Sequence, residues 1–295
     1  MGEHYLEEHH LAPPATHNPK APLVIEAGKS NQTYFVDLWR FRELFMFLAW
    51  RDISVRYKQT VIGVAWALIR PLTTMLVMSF SFGTLANLKA DEQIPYHLLT
   101  LSAILPWQLF STSVSSASQS MVANARLVSK IYFPRVIIPA GVMAVNFVDF
   151  VISLGVLVLL VFMAGMVIPL TALMLPVLIV FTIILALGIS LWLAALNVTY
   201  RDFRYLVPFI LQFGLFLSPV GYSTHRVVER VPELLFVYSL NPVVWIIDFF
   251  RFSVFHLPVE ADWAALPFAA GFTVVLLITG FWYFRKMERS FADVI

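Results

Sequence analysis

Two ionisable residues, Arg70 and Asp149, stand inside long apolar stretches of this 295-residue sequence. A charge in hydrocarbon costs at least ~2.5 kcal/mol on insertion scales, so it takes a partner or faces water. Counted from the starts of their runs at ~1.5 Å per helical residue, the two lie ~15 and ~18 Å deep, nearly level. Two readings stay open: a structural ion pair between Arg70 and Asp149, or Arg70 lining a passage. Asn146 shares a helical face with Asp149 and could hydrogen-bond to it. Other chemistry is sparse. The seven His are scattered, with no HExxH spacing, and there is no Cys. Disulfides, Cys-based zinc sites and thiol catalysis are therefore excluded, and the His spacing does not point to a zinc enzyme. Gly28-Lys29-Ser30 imitates the end of a phosphate-binding loop, but position 23 is Leu where the pattern needs Gly. No strand precedes it and no apolar helix follows. No catalytic residue, metal site or bound cofactor is assigned to the chain.

The elements that must position these groups are six apolar runs, at roughly 60–86, 94–118, 137–164, 170–198, 206–222 and 264–284. Most reach the ~20 residues needed to cross hydrocarbon as a helix. Charged residues make up 13% of the chain and hydrophobic ones 59%, about half the charge of an ordinary soluble domain. With both termini in the cytoplasm, inside segments hold fifteen of the twenty Lys and Arg. Outside segments hold four, Lys89, Arg226, Arg230 and Arg251. That bias sets an N-in, C-in orientation. The expected fold is all-α, a six-span integral membrane protein. A net charge of +2 signals no nucleic-acid partner. Residues 1–34 lack an apolar signal region and read as a disordered cytoplasmic tail. Asn31-Gln-Thr33 and Asn197-Val-Thr199 match the glycosylation acceptor pattern, but on the cytoplasmic side.

Three elements do not span. Leu38, Phe41, Phe45 and Leu48 recur at helical spacing between Trp39 and Trp50, as an amphipathic interfacial helix at about 35–50 would. Residues 124–135 form a short basic loop in which Leu127 and Ile131 make an apolar face and Pro134 stops the helix. Residues 223–260 contain an apolar stretch of only about fifteen residues, too short to span, that carries Asp248 and Arg251. That suits an external re-entrant segment. Phe209, Phe213 and Phe216 recur at i, i+4 and i+7 on the fifth run, and Trp66 lies on the first. Such faces could line a passage or meet lipid.

Arg51-Asp-Ile-Ser-Val-Arg-Tyr-Lys-Gln-Thr60, followed by Gly63, Trp66, Arg70 and Pro71, resembles the membrane subunit of ABC-type polysaccharide exporters. These carry O-antigen, capsule or teichoic-acid chains. In order, further matches are Leu127-Val-Ser-Lys-Ile-Tyr-Phe-Pro134, Asn197-Val-Thr-Tyr-Arg-Asp-Phe203, Leu217-Ser-Pro-Val220, Asn241-Pro242 with Arg251, and Glu288-Arg-Ser-Phe-Ala-Asp-Val-Ile295. The resemblance covers 35–295 and implies a six-helix permease domain there. It implies a homodimer in the bacterial inner membrane, paired with two copies of a separate ATPase that carries ATP and Mg. It further implies that 124–135 is the ATPase-coupling helix, through Arg126, Leu127, Lys130, Ile131, Tyr132 and Arg135. The substrate channel for a lipid-linked polysaccharide would be lined by Trp66, Arg70, Phe209, Phe213 and Phe216. A transport subunit without covalent chemistry is expected. A permease for small drugs or lipids and a membrane glycosyltransferase using Asp91 and Glu92 remain as alternatives.

Overall fold

A computed structural model describes residues 31–58, 63–85 and 94–291. No strand occurs among the described residues. The chain opens with α1 (Asn31–Arg40) and α2 (Arg42–Lys58). The helix therefore begins ahead of residue 35, within the stretch read as tail; the rest of that tail lies outside the described residues. After α2 come α3 (Ala65–Met78, continued as a π-helix to Leu85), α4 (Tyr96–Ala123) and α5 (Ala125–Lys130). They are followed by α6 (Ile137–Met163), α7 (Leu175–Thr199), α8 (Phe203–Leu217), α9 (Thr224–Arg230), α10 (Leu235–Ser239), α11 (Pro242–Phe255) and α12 (Leu266–Glu288). Among the described residues five segments are long and apolar enough to cross a membrane: Ala65–Leu85, Tyr96–Ala123, Ile137–Met163, Leu170–Thr199 and Trp263–Glu288.

The fifth expected run, 206–222, takes a different form. α8 has 15 residues, about 22 Å of helix. The irregular stretch Ser218–Gly221 that continues it is buried, the condition under which non-helical backbone is tolerated at membrane depth. Beyond it, Pro232–Ser239 and α11 meet at 98°. α11 is buried nearly throughout and packs on α4 and α7. It ends at His256, which takes the left-handed conformation (φ 58°).

α4 is the central post. In its most apolar window 78% of residues are buried, against 22% in α3, α7 and α12. Its many serines are accommodated because their hydroxyls bond carbonyls one turn back, as Ser102, Ser118 and Ser120 do. Asn197 reaches across from α7, its amide donating to the Ser118 carbonyl at 3.0 Å. This buried Asn is a helix-packing device, not an acceptor for sugar. α7 also packs along α12, where Gly188 and Gly280 let the two backbones touch.

One end of the bundle gathers α1, the α4–α6 loop and the end of α12 around a common apolar cluster. The α7–α8 loop follows directly from α7, whose Val198 belongs to that cluster. Arg126, Lys130, Arg135, Arg201, Arg285, Lys286 and Arg289 belong to these segments, and Arg204 to the first turn of α8. That basic end is the cytoplasmic one by the charge rule. Leu38, Phe41 and Phe45 pack into the cluster. The opposite side of α1–α2 exposes Phe35, Trp39, Met46, Phe47 and Trp50. The face recognised by spacing thus holds the protein, and this second apolar face is the one available to the membrane surface.

Candidate functional site: a polar cleft, two uncovered helix faces and a cytoplasmic loop

α2 and α6 run side by side in the same direction. Gly141 lies against Leu48 and Ala49, and two turns further on Asp149 meets Arg56 and Tyr57. The Arg56 guanidinium reaches Asp149 Oδ2 at 2.5 Å, and the Tyr57 hydroxyl donates to Oδ1. Burial and the Asp149 carboxylate both push the Tyr57 phenol well above its ordinary range. α3 joins one turn higher. Pro71 has no N–H for the Ala67 carbonyl, and the Ser153 hydroxyl of α6 donates to that carbonyl at 2.9 Å. On the α4 side, Asn146 donates to Ser116 at 2.7 Å.

These residues surround an open-sided cleft lined by Arg56, Trp66, Arg70, Gln108, Asn146 and Asp149. Arg70 and Asp149 both face it, but the expected ion pair between them is corrected. Asp149 is held by Arg56, and among the described residues Arg70 makes no ion pair. Equal residue counts misled because the two helices start at different depths. α6 begins alongside α2, whereas the Ala67–Ser153 contact sets the start of α3 level with the middle of α6. Arg56 and Tyr57, the partners that were missed, lie inside the motif that carried the resemblance. Asp149→Ala should therefore cost more than Arg70→Ala. The first removes the carboxylate that accepts from both Arg56 and Tyr57, at about 1–3 kcal/mol for a partly screened site. The second removes no pairing. Thermal unfolding in detergent, followed by tryptophan fluorescence, tests this; a larger drop for Arg70→Ala would refute the assignment.

α8 is anchored on one side only. Val207 is buried, and a Cβ at Gly214 would come within 2.8 Å of the Trp107 ring. The other side is bare: Phe209, Phe213 and Phe216 are each more than half exposed, and the first two rings pack 4.7 Å apart. Trp66 on α3 is 56% exposed. Both helices flank α4, and they converge at the external end, where Gly221 abuts Phe82 and Met78. There the Tyr96 hydroxyl donates to the Gly221 carbonyl, and Arg251 Nη1 to the Tyr222 carbonyl at 3.2 Å. Among the described residues no element covers the aromatic face of α8.

At the cytoplasmic end the 124–135 loop is helical only over Ala125–Lys130. Val128 and Phe133 are buried in the cluster beneath, with Leu127 packed against it. Ile131 and Tyr132 are more than half exposed, and Arg126 and Lys130 are also outward. The loop is thus pinned from one side and presents basic and apolar groups on the other. Among the described residues no cluster of His, Asp or Glu could hold a metal ion. Asp91 and Glu92 lie outside them.

The family model for the ABC-2 type transporter matches residues 43–255, which take in the cleft, the loop and both uncovered faces. Among known proteins the chain is similar to the O-antigen export system permease protein RfbA of Klebsiella pneumoniae. It is 26% identical over 255 residues, 86% of this chain and 95% of that one. It is also similar to the RfbA permease of Myxococcus xanthus, 27% identical over 259 residues, 88% of this chain and 98% of that one.

Proposed function

Since the chain belongs to the ABC-2 type transporter family and is a multi-pass permease subunit, we propose that its cargo is a lipid-linked polysaccharide such as O-antigen. It moves that cargo across the bacterial inner membrane, driven by a separate ATPase that holds ATP and Mg. The relatives named for O-antigen export, matched along nearly their whole length, support the cargo. The geometric observation that carries the reading is the aromatic face of α8, bare in a single protomer. A polymer longer than the membrane is thick needs a continuous passage, not a closed pocket. Two copies meeting along α3 and α8 would enclose one, with Phe209, Phe213, Phe216, Trp66 and Arg70 toward the cargo. Aromatic rings offer sugar rings apolar area at little ordering cost. Residues 124–135 serve as the coupling element, with Arg126, Leu127, Lys130, Ile131, Tyr132 and Arg135 toward or behind the ATPase.

One reconstitution with the partner ATPase tests both halves, reading ATP hydrolysis and polymer export at matched permease abundance. Ile131→Ala with Tyr132→Ala should leave insertion intact and lower export per ATP by about tenfold, the size of a typical coupling loss. Phe213→Ala with Phe216→Ala should lower export while hydrolysis continues. Normal export by the Phe pair removes the channel assignment, and full coupling by the other pair removes the docking assignment.

A further inference from the structure

Glu288, the last residue of α12, joins three segments far apart in sequence. Its Oε1 accepts the backbone N–H of Arg135 at 2.8 Å, and its main-chain carbonyl accepts the Arg135 guanidinium. Its Oε2 faces Arg285 Nη1 at 3.5 Å. The Arg285 guanidinium in turn sits 3.6 Å over the ring of Tyr34 in α1. Tyr34 is buried edge-on to Phe281, and Phe35 stacks on the same ring at 5.5 Å. On the other side Phe291 packs against Phe284 and lies under Arg135. Val128 and Phe133 of the coupling loop belong to the same buried cluster as Tyr34, Phe284 and Phe291.

Simple packing does not require a carboxylate here. Apolar side chains already fill the cluster, and a largely buried acid is costly unless paired and hydrogen-bonded. What Glu288 adds is a directional tie. α5 has only six residues and is bounded by a break at Asn124 and by non-helical backbone from Ile131. Under load such a piece would turn by itself unless something beyond it were attached. Its downstream flank is attached at Arg135, to the end of the last span. From there the contacts run through Arg285 and Tyr34 into α1. α2 follows α1, and in its last turn Arg56 meets the Asp149 carboxylate of α6.

We propose that Glu288 is a positioning residue for energy transmission, tying the coupling loop to α12 and to α1–α2 so that displacement of α5 moves the last span and the cleft-lining helix together. The proposal rests on the reading of residues 124–135 as the docking element. Coupling of this kind requires a contiguous set of packed and hydrogen-bonded groups between the two sites, and each link named above is a contact of that set.

The test uses the full transporter in proteoliposomes, with Glu288→Ala, Glu288→Asp and Glu288→Gln. Aspartate keeps the charge but shortens the reach to the Arg135 N–H by one methylene. Glutamine keeps the length and an acceptor oxygen. The ATPase should co-purify with all three and hydrolyse ATP at near the wild-type rate. Export per ATP should fall by about tenfold in the Ala and Asp variants, with Gln closer to wild type. A purely structural residue would instead lower abundance, hydrolysis and export in proportion, and that result overturns the proposal. So does wild-type coupling in the Asp variant, which keeps its charge and so covers the case in which the Ala variant accumulates poorly. Failure of the docking reading is separate: it shows as normal coupling in the Ile131 and Tyr132 double variant. Failure of the present inference shows as normal coupling at Glu288 while that double variant is uncoupled.

Discussion

Replacing Arg251 with Ala should nearly abolish accumulation of the folded permease. Arg251 and Asp248 are both about 4% exposed on α11, one turn apart. Each is built into the external cap. Arg251 donates to the Tyr222 carbonyl, and Asp248 accepts the Thr224 hydroxyl at 2.8 Å. Together they fasten α11 to the chain that leaves α8. No ion-pair contact joins the two, but each buried charge offsets the other across the cap; removing one leaves an uncompensated buried charge, at a cost of about 3–5 kcal/mol. That is a large part of the 5–15 kcal/mol by which a typical protein is stable. The double replacement Arg251→Met with Asp248→Asn should be milder than Arg251→Ala, because neither charge is left alone. Fluorescence-detected size-exclusion chromatography of detergent extracts gives the readout. Equal monodisperse peaks for wild type and Arg251→Ala would sink the argument. Asp248 and Arg251 stood out in the sequence as charges in an apolar stretch, but as a reason to doubt a crossing. Only the packing of α11 against α4 and α7 makes them a structural core.

Gly280→Ala should separate α12 from α7. A Cβ at Gly280 would collide with the Gly188 carbonyl, and one at Gly188 would come within 2.8 Å of the Leu277 nitrogen. Both obstacles are backbone, so no rotamer change relieves them. Overpacking typically costs about 1–3 kcal/mol, and here the helices themselves must move apart. The Trp192 indole would then lose its 3.1 Å bond to Thr279 and its stack on Tyr283 at 4.3 Å. Small residues at helix crossings are the usual means of close approach in a membrane. Gly271 is the control: it lies on the same helix with nothing within 4 Å of its Cβ, and Gly271→Ala should be harmless. The check is the midpoint of thermal aggregation for both variants. A Gly280→Ala midpoint at or above that of Gly271→Ala would contradict the close contact.

The Asp149 assignment shows where reading from one dimension stops. Hydropathy marks a run but not where its neighbours begin, so depth counted along two separate runs has no common origin. α2 lying beside the first turns of α6 shifted the scale, and Arg56 took the place expected for Arg70. The interfacial helix shows a related limit. Its periodic apolar face was legible, but periodicity cannot say whether a face meets protein or lipid, and α1–α2 has apolar residues toward both.

Properties that accumulate along the chain were settled by the sequence alone. Long apolar runs require helices because backbone polar groups cannot go unpaired in hydrocarbon. The placement of Lys and Arg gives the orientation expected from the charge rule, and the short 243–257 stretch gives the expectation of a re-entrant segment. Relations between helices were decided only by the tertiary structure. The register of α2 on α6 chose Asp149's partner. The contact of Gly188 with Gly280 fixed how closely α7 and α12 approach. α8 was left with a bare aromatic face, and Glu288 was brought to Arg135 across 153 positions. Each depends on the rotation and offset of one helix against another, and that is set by side chains meeting from distant windows, which no local pattern of hydrophobicity or charge contains.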